Sequence, residues 1–142
     1  MKATDLMIGD WVNLNFDVDY KTGKSIYAPV QITGINKDGT VDVNLTYDKS
    51  ESMQDGWDLK LIEPIPLTKG IFVKNGFVLK EWTGHKQYQY TFIEHGDELT
   101  IKIDYTEPYF IIRCFRIGIT INYVHELQHA LKFCKIKKEI IV

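Results

Sequence analysis

Cysteine is scarce in this chain of 142 residues: there are two, Cys114 and Cys134. They form no C-x-x-C pair and no zinc-ribbon spacing, and they read as buried apolar thiols in a reducing compartment. Serine is limited to Ser25, Ser50 and Ser52. None lies in G-x-S-x-G, so the nucleophile-elbow hydrolases have no signature here. No G-x-G-x-x-G and no P-loop occurs, so nucleotide-binding folds have none either. The opening MKATDLMIGD lacks the apolar stretch of a leader peptide. No apolar run approaches the roughly 20 residues of a membrane span. The longest, YFIIRCFRIGITI, is broken by Arg113 and Arg116. These absences predict a cytoplasmic protein with no membrane partner.

What is present is an ordinary globular composition with 44% hydrophobic, 25% charged and 13% aromatic residues. The aromatic share suits half-buried sheet surfaces. A chain of this length buries a core without metal or disulfide staples. The net charge of −2 is unevenly spread. Residues 1–66 carry six lysines against eleven acids, a net of −5. Residues 67–142 carry eleven bases against eight acids, a net of +3. An acidic first half argues against a phosphate-tracking surface. The lysines at 132, 135, 137 and 138 read as a solvated helix end, where cations suit the dipole. Nucleic-acid contact ranks below protein contact.

The boundary between two domains, 1–66 and 67–142, falls in IEPIPLT, where Pro64 and Pro66 cannot donate ladder hydrogen bonds. The first domain reads as all-β. DWVNLNF alternates, YAPVQITGI and TVDVNLTY flank the turn signal Asp38-Gly39, and DGWDLKLIE supplies a last strand after a polar loop at 48–56. In that hairpin Val30, Ile32 and Ile35 face Val41, Val43 and Leu45. Short strands closed by tight turns predict a small SH3-like β-barrel.

The second domain opens with a short helix capped by Thr68 and closed at Gly76. The strands FVLKEW, QYQYTFI, ELTIKIDY and YFIIRCF follow, a β-meander with one buried and one wetter face. A C-terminal helix covers residues 122–134, with Asn122 as its N-cap, and KEIIV adds an edge strand. The overall expectation is α+β, with helices packed on one face of the meander.

The helix contains HELQH, residues 125–129, the H-E-x-x-H pattern of zinc peptidases. At about 100° per residue, Tyr123, Val124, Leu127, Ala130, Leu131 and Cys134 share one face. His125 and His129 fall on the other, four apart and able to chelate one ion. Glu126 stands where the general base of a zinc hydrolase stands. A third ligand is required. The extended motif with a further His is absent, and the upstream candidates His85, His95, Glu94 and Asp97 have no supporting spacing. Cys134 lies on the apolar face, away from the histidines, so a Cys/His nucleophile pair is not formed.

The segments IEPIPLTKGIFVKNGF and YVHELQHALKFCKIKKEI, with the opening DLMIGDWV, resemble a group of uncharacterised small proteins from gut Bacteroides and relatives. The resemblance spans most of the chain and implies no known chemistry. It places Tyr123, Val124, His125, Leu127 and Gln128 in the group's helix motif, where the position of Glu126 is unrestricted and that of His129 is often Asn. Lys69 and Gly70 depart from the Pro-Glu start usual in the middle motif. The resemblance also implies association with phage-like or mobile elements.

The expectation is therefore a non-enzymatic interaction or accessory module with a protein partner, no cofactor and no metal. The alternative is a zinc-dependent hydrolase with His125 and His129 as ligands and Glu126 as base.

Overall fold

The computed structural model describes every residue except 48, 49 and 115, and the side chains of 46, 47, 50–52 and 114 also lie outside the description. The chain divides into two compact units, Met1–Ile65 and Pro66–Val142. Strands make up 53% of it and the two α-helices are short, so the fold is mostly β rather than α+β.

The first unit is one antiparallel sheet of β1 (Trp11–Val18), β2 (Ser25–Ile35), β3 (Thr40–Tyr47), β4 (Ser50–Asp58) and β5 (Ile62–Pro64), in the order β4-β3-β2-β1-β5. It corrects the expected SH3-like barrel. Closure requires the two edge strands to hydrogen-bond to each other. Here β5 offers three residues, all of them paired to β1, and the sheet stays open. Alternation puts Val12, Leu14, Val30, Ile32, Val41 and Val43 in the core, each at most 1% exposed. A register shift between Ile32 and Gly34 ends that row, and Ile35 is 37% exposed instead of buried. Gly34 is there for closeness: a Cβ would collide with the Asp42 carboxylate. That carboxylate accepts from Asn36 Nδ2 and Gly56 N, both at 2.9 Å. The polar loop expected at 48–56 is strand from Ser50 onward, with residues 48 and 49 outside the description.

The second unit opens with α1 (Lys69–Lys74), followed by β6 (Val78–Trp82), β7 (His85–Glu94), β8 (Asp97–Thr106), β9 (Tyr109–Cys114), β10 (Ile117–Ile121) and α2 (Val124–Phe133). The strands form an antiparallel meander, β10-β9-β8-β7-β6. Thr68 Oγ1 accepts from Ile71 N at 3.3 Å to start α1. Gly76, with φ of 79°, lets the chain leave it, and Phe77 N returns to Phe72 O at 2.9 Å.

The register Tyr88↔Ile103↔Ile112 sends Tyr88, Ile103 and Ile112 to one face of the sheet. Phe72 of α1, fully buried, stacks on Tyr88 with ring centroids 4.4 Å apart and lies 5.0 Å from the Phe110 ring. α2 packs beside β10. The strand β10 was not expected from the sequence; Arg116, with φ of 69°, turns the chain into it.

The expected C-terminal edge strand does not form. The tail is held by a side chain instead. Asn75, 6% exposed, donates from Nδ2 to Ile141 O at 2.7 Å and accepts from Ile141 N at 2.8 Å. Its amide thus stands in for a strand neighbour and seats Ile140, which is 2% exposed. Asn75→Ala leaves the Ile141 groups unpaired. It is expected to cost about 1–3 kcal/mol in urea unfolding and to strip hydrogen-exchange protection from residues 136–142.

Candidate functional site

On the opposite face of the same meander, alternation places polar side chains: Gln87 and Gln89 on β7, Lys102 and Asp104 on β8. The register pairs Gln87 with Asp104. Asp104 has a side chain only 10% exposed, an unusual position for a carboxylate on the wetter side of a sheet. It accepts from three donors on its two neighbouring strands. Gln87 Nε2 lies 2.6 Å and His85 Nε2 3.1 Å from Oδ1, and Arg113 Nε on β9 lies 3.0 Å from Oδ2. Gln89 Nε2 continues the chain to Gln87 Oε1 at 2.6 Å. Burial pushes the Asp104 carboxyl up, but the hydrogen bonds from Gln87, Arg113 and His85 together outweigh it, and its pKa ends below the ordinary carboxylate value.

The network fixes what lies above it. With Nε2 bound to Asp104, the His85 ring cannot turn freely, and it meets the Trp82 indole at 4.6 Å between centroids. Trp82 is nevertheless 52% exposed. Both residues line a cleft of about 450 Å³ at the β6–β7 end of the sheet, together with Glu81, Lys86, Tyr105 and Glu107. Lys86 Nζ pairs with Glu81 across the hairpin at 3.5 Å. The cleft therefore joins an exposed aromatic, in contact with the His85 ring, to a mixed-charge rim, which suits recognition of another surface.

The HELQH residues are placed differently from expectation. His125 is 6% exposed rather than on an open face. The first turn of α2 is enclosed beyond its apolar stripe, and the Tyr123 ring stacks on His125 at 5.9 Å. His129 is edge-on to His125, with centroids 5.7 Å apart. Glu126 is a capping group: Oε2 accepts from Asn122 N at 2.7 Å and Tyr123 N at 3.2 Å. The N-cap residue is Tyr123, not Asn122. Among the described residues, no group of three or more His, Cys, Asp or Glu side chains gathers to hold a metal. Of the upstream ligand candidates, His85 is bound to Asp104, while Glu94, His95 and Asp97 surround the β7–β8 turn. Cys134 is disulfide-bonded rather than a free thiol, and the side chain of Cys114, the chain's other cysteine, lies outside the described residues.

The donors around Asp104 escaped sequence reasoning because each is an ordinary wet-face residue in its own strand; only strand register gathers them. Comparison with protein-family models, curated proteins and solved structures gave no match.

Because the folded pKa of Asp104 lies below its unfolded value, the stability it contributes is complete above the ordinary carboxylate range. It is lost as pH falls through the lower folded value. Asp104→Asn is expected to cost about 2 kcal/mol near neutral pH. Equilibrium unfolding across the acid range should then show a shallower pH dependence than the parent.

Proposed function

We propose that this protein is a non-enzymatic interaction module that engages a protein partner through the Trp82–His85 cleft. The observation that supports it is Trp82, half-exposed yet held against an imidazole that Asp104 immobilises. An aromatic ordered before contact loses little entropy on binding, which is the property of interface anchors. No helix is long and apolar enough to cross a membrane among the described residues. The cytoplasmic placement rested partly on reduced thiols, and the disulfide at Cys134 removes that support. Association with a mobile element rests on the sequence resemblance alone.

Partner capture from the native host, quantified by mass spectrometry, tests the proposal. Trp82→Ala is expected to weaken capture by roughly thirtyfold, equivalent to about 2 kcal/mol. Tyr20→Ala, at an exposed position in the first unit, should leave capture unchanged. Equal capture by the parent and Trp82→Ala would remove the cleft from the interface.

The zinc-hydrolase alternative requires Glu126 to abandon its cap and a third ligand to join His125 and His129. Metal analysis of untagged protein is expected to find no stoichiometric zinc. Zinc that is present at one equivalent and lost on His125→Ala would establish that alternative.

A further inference from the structure

From the last turn of α2 onward the chain carries four lysines in seven residues, 132, 135, 137 and 138. They line a cavity of about 480 Å³ with Ile136 and a single acid, Glu139, an excess of three positive charges. Lys138 is partly committed to the fold, its Nζ lying 3.8 Å from the Tyr90 ring centroid. Lys135 and Lys137 are exposed.

The helix dipole accounts for a lysine in the last turn, and Lys132 is there. It does not account for Lys135. That residue occupies the left-handed position after the helix, φ of 59°, with Ile136 N returning to Leu131 O at 2.9 Å. Glycine is favoured at such a position and a side chain is strained. Lys135 thus carries a backbone cost that glycine would avoid, while adding a charge to the cavity. Lys137 lies past the helix, where the dipole no longer reaches.

We propose that this cavity binds a carboxylate-rich segment of a protein partner. The charge excess supplies the attraction, and apolar Ile136 supplies contact for a hydrophobic residue within an acidic stretch. A long polyanion is disfavoured because the molecule as a whole is acidic, with a net charge of −2 and a pI near 6.1. A short acidic segment meets four lysines against the one acid Glu139. This site is separate from the Trp82 cleft, and either can fail without the other.

The probe is a glutamate-rich hexapeptide containing one phenylalanine, titrated into the full-length ¹⁵N-labelled protein and followed by NMR. Salt-sensitive shifts are expected at the backbone amides of 135–139. Lys135→Gly should weaken binding by about tenfold while leaving the melting temperature unchanged or raised, so that the loss cannot be unfolding. Lys137→Glu should weaken it at least as much. The proposal is overturned if the peptide produces no shifts in this segment or if both variants bind it as the parent does. It is equally overturned if oligothymidylate or phosphatidylserine vesicles bind these lysines more tightly than the peptide does.

Discussion

The pairing of β7 with β8 decides which side of the second unit is core and which is site. With Tyr88 opposite Ile103, the aromatic and aliphatic residues of both strands meet Phe72 on one face. The same register puts Gln87 opposite Asp104 on the other. A slip of one residue between them would set Tyr88 opposite Asp104 or Lys102, so that the core residues of one strand would share a face with the polar residues of the other. Core packing thus fixes the polar network, and the network needs no separate folding signal.

A buried carboxylate is costly unless its lone pairs are filled. Asp104 meets that requirement with donors from two neighbouring strands, one of them from the chain's two arginines. The arrangement locks His85 and, through ring contact, steadies Trp82. The tail is secured by a similar economy. Asn75 satisfies both the N–H and the carbonyl of Ile141, so an extended segment is anchored without a ladder.

Much of the strand pattern was legible because period-two alternation, as at Ile101 and Ile103, reflects burial, although Leu99 at the start of the same row is 42% exposed. The β4 strand was not, since Ser50–Gln54 carries no apolar alternation. An edge strand can be held by backbone pairing to β3 alone. The barrel expectation failed because local strand signals carry no information on whether edge strands meet. The residues around Asp104 were invisible for a related reason: histidine, glutamine and arginine on a wet face look alike whether or not they converge. HELQH was conspicuous as a string, yet the spelling encodes a helix start, with Glu126 reaching back to the Asn122 and Tyr123 amides.

The chain contains an internal comparison for the central claim. Arg113 gives its Nε–H to a nearly buried carboxylate, whereas Arg116 lies exposed in the following turn. Side-chain Nε–H exchange measured by NMR should be markedly slower at Arg113 than at Arg116, and the difference should vanish in Asp104→Asn. Equally fast exchange at both arginines in the parent protein would contradict the account, because Asp104 would then not be holding its donors.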